Sequence, residues 1–416
     1  MECRELELLD LNFYHEKLDN GLNIFLLPLK GINNYCINYC TCYGSDILQF
    51  NNTKLNPGTA HFLEHKVFEQ EEGEKVFEFY EKHGSYANAY TNHDSTCYVV
   101  EGNNYFKEDL SFLIDYVNKP YFTDENINKE KGIIKEEINS NIDNPFMIMN
   151  REITKCIFKN SNRIYDIAGE VSDIEKIDRN TLKEVYDTFY IPNNMFISIV
   201  GCFDKDEAIN IIKTKKYNEN MEFNIIKKEE TEEVNKKNKT IYNSNIERVR
   251  LSVALKINLN NYKEDKYIVY KSIEILSDIL FGECSILRED INDNNLVNSL
   301  GYYEYISDNY LILQIESKTK NIDTILNKII YTFNNYKNYI DEDSFNRIKK
   351  VYKSNIISLS NNSEQISNYI IDTYITYKNV YYNLEELDKI DYKLFKKIIN
   401  KIDFDNYCYI KMLSNK

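Results

Sequence analysis

His61 and His65 stand four residues apart in the stretch Pro57-Gly58-Thr59-Ala60-His61-Phe62-Leu63-Glu64-His65. Asn56, Pro57, Gly58 and Thr59 are turn and cap residues, and a helix-forming run follows. On that helix both imidazoles leave one face. Two neutral imidazoles so placed hold one Zn²⁺ at about 2.0–2.1 Å each. Such an ion lowers the pKa of an adjoining water to about 7. Glu64, one residue before His65, is placed to accept that water's proton without binding the ion. An ordinary amphipathic helix with two surface or core histidines shows the same spacing, and the chain has 5 His. The three positions alone leave both readings open.

A catalytic zinc with two histidines needs a third protein ligand and an open position. Residues 124–137 read as a second helix, with Ile127, Ile134 and Ile138 spaced for one face. Glu130 and Glu137 lie two turns apart on it and share a face. One carboxylate would reach the ion and the other would support its ligands.

With these residues in place the chain resembles the pitrilysin/insulinase family of inverted-motif zinc metallopeptidases, which includes the mitochondrial processing peptidases. That family has Gly-x-x-His-x-x-Glu-His and, roughly seventy residues on, two glutamates seven apart. The resemblance implies Zn²⁺ held by His61, His65 and Glu137, with Glu64 as general base and Glu130 as the supporting glutamate. Gly84-Ser85-Tyr86-Ala87-Asn88-Ala89-Tyr90-Thr91 is similar to the family's Gly-x-x-x-Asn-Ala-x-Thr strand. A substrate peptide is expected to add along its edge at Asn88, Ala89 and Tyr90. Tyr190-Ile191-Pro192-Asn193-Asn194-Met195 is similar to the stretch that ends the family's first domain.

The elements around these motifs fit that picture. Asp19-Asn20-Gly21 predicts a hairpin turn between strands at Phe13–Leu18 and Leu22–Leu27. Strands follow at Tyr35–Tyr43, Tyr86–Tyr90 and Thr96–Glu101. The histidine helix is expected from Thr59 to His83, with a break at Glu72-Gly73. Further helices are expected near 106–118, 123–142, 147–158 and Asn180–Phe189, the last capped by Asn180. The second half repeats the outline, with strands at Arg248–Ile257, Gly301–Ile306 and Tyr310–Glu316. Its helices fall at Asp265–Phe281, 321–338 and 341–360. No histidine follows His93, and Ile348 and Asn355 take the places of Glu130 and Glu137. The expectation is an α+β fold of two homologous domains, each a mostly antiparallel sheet packed with helices. Residues 1–212 would carry the zinc, 213–244 would be a charged, solvated linker, and 245–416 would be a non-catalytic copy.

Composition narrows the function classes. The net charge is −15, with no basic stripe, so a nucleic-acid role is not expected. No apolar run is long enough to span a membrane. The N-terminus lacks a signal-peptide pattern, which predicts a cytoplasmic protein. The 9 Cys are scattered and odd in number and read as reduced thiols. Cys36, Cys40 and Cys42 share one strand-like stretch and read as buried thiols rather than a metal cluster. His15, His83 and His93 read as non-ligating, His93 in an exposed turn.

The resulting function is hydrolysis of peptide bonds in short or unfolded peptides, in keeping with short bacterial family members that mature small peptides. The alternative is a catalytically idle, peptide-binding subunit on the same fold. The resemblance also implies an Arg and a Tyr in the second domain that stabilise charge on the substrate carbonyl. Their places fall on Asn292 and Asn298, with Arg288 early and Tyr302 and Tyr303 late. A heterodimer is therefore expected, in which a homologous subunit brings the missing pair. A homodimer or monomer is the alternative.

Overall fold

The Asp19-Asn20-Gly21 turn opens the first sheet. Gly21 sits at φ +92° against Asn193, whose Cβ would lie 3.0 Å from an added side chain, so glycine alone takes the turn without strain. The structure, a computed structural model, describes residues 1–6, 11–71, 75–244, 246–359, 362–380 and 384–414. Its strands are β1 (Glu2–Leu6), β2 (Leu11–Lys17), β3 (Asn23–Pro28), β4 (Tyr35–Thr41), β5 (Gln49–Phe50), β6 (Thr53–Lys54), β7 (Tyr86–Thr91), β8 (Thr96–Gly102) and β9 (Met195–Gly201) in the first half. The second half adds β10 (Asn238–Asn243), β11 (Val249–Asn258), β12 (Val297–Ser307), β13 (Tyr310–Thr319) and β14 (Tyr407–Ser414). The first helices are α1 (Thr59–Val67), α2 (Val76–His83), α3 (Phe106–Val117), α4 (Asp124–Asn141) and α5 (Pro145–Ile157). The expected break at Glu72-Gly73 lies outside the described residues.

One sheet runs β1-β2-β3-β9-β4-β8-β7, and the other runs β10-β14-β11-β13-β12. All neighbours are antiparallel except β3 with β9 and β10 with β14. The series β3-β9-β4-β8-β7 and β10-β14-β11-β13-β12 thus have the same order and directions. This is the α+β fold the sequence predicts, built twice. No helix of the described residues is long and apolar enough to cross a membrane.

The two compact units are not consecutive stretches of chain. One comprises residues 1–140, 165–228 and 357–380, and the other 141–164, 229–356 and 381–416. The expected cut at 213–244 is therefore redrawn. α5 from the first half belongs to the second unit, where Met149, Ile153, Cys156 and Ile157 join Ala254, Ile312, Cys408, Ile410 and Met412 in one core. The helix Ser363–Tyr377 belongs to the first unit, where Ser367 bonds Asn38 at 2.9 Å and Tyr374 packs on Phe25 and Phe196. Each helix goes where its apolar and small faces find a complementary sheet.

Three expectations need correction. The Arg179–Phe189 helix is capped by Asp178, which accepts from the Thr181 N–H at 2.8 Å, and not by Asn180. Cys40 and Cys97, directly opposed on β4 and β8, are disulfide-bonded and are not free thiols. Within the charged run, Glu230 is not solvated. Its side chain is 4% exposed, meets the buried ammonium of Lys256 at 3.1 Å, and accepts from the backbone N–H groups of Lys159, Asn160 and Ser161.

Candidate metal centre

The start of α1 is fixed by two glycines. Gly58 caps the helix at φ +89°, where a Cβ would lie 2.5 Å from the Ala168 carbonyl oxygen. Gly169, at φ +71°, backs against the Pro57 carbonyl in the same way. This close approach clamps the helix start against the 168–169 turn. Behind it Ala60, Phe62, Leu63 and Val67 bury into the core, which turns His61 and His65 to the opposite side. The two rings lie 4.6 Å apart.

α4 supplies the facing carboxylates. Ile127 and Ile134 are buried and Ile138 packs against the same core, so the helix presents Glu130 and Glu137 toward α1. Glu137 Oε1 lies 3.6 Å from His61 Nε2, and Glu137 Oε2 lies 3.7 Å from His65 Nε2. One ligand atom from each of the three residues falls within 4.8 Å of the others. Two ligands of a tetrahedral zinc stand roughly 3.3 Å apart, so these separations suit a shared ion rather than direct hydrogen bonds. The donor set, two imidazole nitrogens and a carboxylate, is one that zinc takes in catalytic sites. It is the one such group among the described residues.

Glu130 is buried and takes a different place. Its Oε1 is 2.9 Å from His65 Nδ1, on the far side of the ring from Glu137. Burial would raise the Glu130 carboxyl, but His65, Lys66 and Lys129 outweigh it and hold it below the usual range. His65 is the mirror case. Burial would lower it, and the hydrogen bond to Glu130 with the charges of Glu64 and Glu137 raises it instead. His61 has no such hydrogen bond, since its Nδ1 is buried without a partner among the described residues, and the Glu130 charge supports it only weakly. Burial, and then the neighbouring His65, push its pKa down to about 4, so the ring is neutral and free to donate its lone pair.

Glu64 is 8% exposed, and its Oε2 accepts from the Thr91 hydroxyl at 2.7 Å. Burial pushes its carboxyl above the ordinary range, although the Thr91 hydrogen bond works the other way. Asn88, Ala89 and Tyr90 lie on β7, the edge strand of its sheet. The Ala89 N–H donates to the side chain of Asn88 at 2.9 Å. Thr91 is the site residue that sequence reasoning passed over. Its signal was present in strand alternation, which puts Ala87, Ala89 and Thr91 on the α1 side.

The other histidines serve elsewhere. His15 bonds Asn23 at 2.9 Å, and His93 bonds Ser45 at 3.0 Å. His83 sits between Phe79 and Tyr105 and pairs at 2.7 Å with the fully buried Asp109. Arg288 is committed locally, its guanidinium donating to the Leu300 carbonyl at 2.7 Å and the Phe281 carbonyl at 3.2 Å. The Tyr302 hydroxyl donates to Asp278. The side chain of Asn298 lies outside the described residues.

Comparison with known proteins bears on the family. The family model described as insulinase (peptidase family M16) matches residues 49–169, and the one described as peptidase M16 inactive domain matches residues 176–352. The uncharacterized zinc protease YmfH of Bacillus subtilis (strain 168) is 34% identical over 316 residues, 73% of this chain and 73% of that protein. An uncharacterized zinc protease of Rickettsia bellii is 30% identical over 203 residues, 48% of each chain. Among solved structures, a "putative M16-like peptidase" from Alicyclobacillus acidocaldarius matches with a TM-score of 0.92 at 25% identity, over 99% of this chain and 100% of that one. The periplasmic protease PqqL from Escherichia coli shares the fold, with a TM-score of 0.72 at 18% identity over 96% of this chain and 47% of that one. This chain belongs to the insulinase family, peptidase family M16, and relatives that match it carry the name zinc protease.

Proposed function

We propose that this protein is a zinc metallopeptidase that hydrolyses peptide bonds in short or unfolded peptides, as in the maturation of a small peptide. The observation that carries it is the meeting of His61, His65 and Glu137 with a buried glutamate, Glu64, beside them. When bound, zinc supplies a Lewis acid for the scissile carbonyl and acidifies a water. His61, His65 and Glu137 would hold it. Glu64 accepts the proton of the attacking water and returns it to the leaving amine. Burial raises its pKa above the ordinary carboxylate range, the direction that eases return of the proton to the leaving amine. The peptide joins β7 as an added strand, displacing the Asn88 side chain from the Ala89 N–H and pairing with it.

A homologous partner subunit is part of the same proposal. Arg288 gives both terminal nitrogens of its guanidinium, and Tyr302 its hydroxyl, to groups of their own unit, which holds both side chains in place there. A partner carrying an Arg–Tyr pair for charge on a substrate carbonyl would complete the machinery.

The test is cleavage of unstructured peptides by the zinc-loaded chain, alone and with a co-expressed homologue. Glu64→Gln should retain zinc and lose at least about 10²-fold in kcat. Parental turnover by that variant removes the base assignment. No cleavage under any pairing leaves the idle, peptide-binding subunit. Robust turnover by the lone chain refutes the required partner.

A further inference from the structure

Thr91 ends β7 directly opposite Thr96 on β8. Its hydroxyl donates to Glu64 Oε2 at 2.7 Å, the one hydrogen bond of that carboxylate among the described residues. Thr96 stands behind it, fully buried. The two hydroxyls are 3.3 Å apart, and Thr96 donates to the Tyr43 carbonyl at 3.0 Å. Each hydroxyl has one proton: Thr96 gives its own to the Tyr43 carbonyl and Thr91 its own to Glu64, so Thr96 supports Thr91 by packing behind it across the paired strands. Both threonines are β-branched, and paired strands restrict their χ1 angles. A glutamate on a helix has three rotatable bonds, and nothing on α1 itself fixes its last one. The sheet supplies that restraint from outside the helix. With Oε2 held by Thr91, Oε1 is left as the oxygen for a water's proton.

We propose that Thr91 is a positioning residue that fixes the carboxylate of Glu64 for proton transfer, with Thr96 holding Thr91 in place. This rests on Glu64 as the general base. Proton transfer depends steeply on alignment, so release of the carboxylate slows the chemical step and leaves metal and peptide binding as they were.

Four variants test it: Thr91→Val, which keeps the branched shape and removes the hydroxyl, Thr91→Ser, Glu64→Gln, and Glu64→Gln with Thr91→Val. Thr91→Val should lower kcat about 10–100-fold with KM changed less than about 2-fold. Thr91→Ser should recover to within about 3-fold of the parent, since the donor is restored. In the Glu64→Gln background Thr91→Val should change kcat less than about 2-fold, because the group it positions is gone. Zinc affinity, by competition with a chelator, should match the parent in all four. A structure of zinc-loaded Thr91→Val should show Glu64 in a rotamer other than the parent's. If Thr91→Val does not fold, Thr91→Ala, which also lacks the hydroxyl, replaces it with the same expectations. Glu64→Gln at parental turnover overturns the base assignment on which this rests. An inactive Glu64→Gln with a fully active Thr91→Val overturns the positioning role alone, as does equal loss of zinc affinity and turnover in Thr91→Val.

Discussion

His65 Nδ1 lies 2.9 Å from Glu130 Oε1, a bond between α1 and α4 that involves neither Nε2 nor Glu137. It sets the tautomer of His65 and turns the opposite nitrogen toward Glu137. Glu130→Gln should therefore weaken zinc binding about 10–100-fold without abolishing it. Chelator competition reads this out. A structure in which Glu130 contacts the ion in place of Glu137 would overturn the assignment.

The three converging residues should differ from Glu64 in a metal assay. His61→Ala, His65→Ala and Glu137→Gln should each lose stoichiometric zinc, since each removes one of three protein ligands. Glu64→Gln should keep it. Elemental analysis after dialysis distinguishes the two groups, and full metal retention by His65→Ala would sink the site.

Gly58 is predicted to control the site from the helix start. An added Cβ would meet the Ala168 carbonyl at 2.5 Å with the backbone at φ +89°. Gly58→Ala should cost on the order of 1–3 kcal/mol and shift His61, which lies within the first turn. Thermal unfolding and zinc affinity should both fall. An unchanged zinc affinity would show that the clamp is not coupled to the metal.

The Lys256–Glu230 pair gives a prediction with a sign in pH. Burial favours the neutral acid, but the N–H groups of Lys159 and Asn160 and the Lys256 ammonium outweigh it and hold Glu230 down to about 2, against an ordinary 4.5. A carboxyl depressed in the folded state adds its full stability above its unfolded value and loses it as pH falls through the folded one. Glu230→Gln should therefore be less stable than the parent at pH 7, and the gap should narrow as pH falls from 4.5 toward 2. Lys256→Met strands a buried carboxylate and should cost about 3–5 kcal/mol. Urea unfolding at several pH values measures both. A gap that stays constant with pH would show that Glu230 is not held as a charged partner.

What the sequence by itself determined is local. His61 and His65 share a face because helix periodicity requires it, and Glu130 and Glu137 share another for the same reason. Asn20-Gly21 sets a hairpin through backbone conformation alone. That the second half repeats the first in outline followed from the succession of patterns along the chain. The similarity of Gly84–Thr91 to a known strand located the edge where a peptide is expected to join.

Tertiary structure decided what lies between these segments. Only the packing of α1 against α4 makes Glu137 the carboxylate that meets both imidazoles and Glu130 the one behind His65, because equal spacing on a helix carries no information about which turn faces a neighbour. Thr91 became a partner of Glu64 through β7 lying beside α1, a contact between segments 27 residues apart. The charged run gave no sign that Glu230 is buried, since its partner Lys256 comes from a later strand and only the folded sheet encloses both. The assignment of α5 to the second sheet was equally hidden. An amphipathic helix states that one face must be covered and does not state by which sheet, and that choice is made by shape and by the cores that close around it.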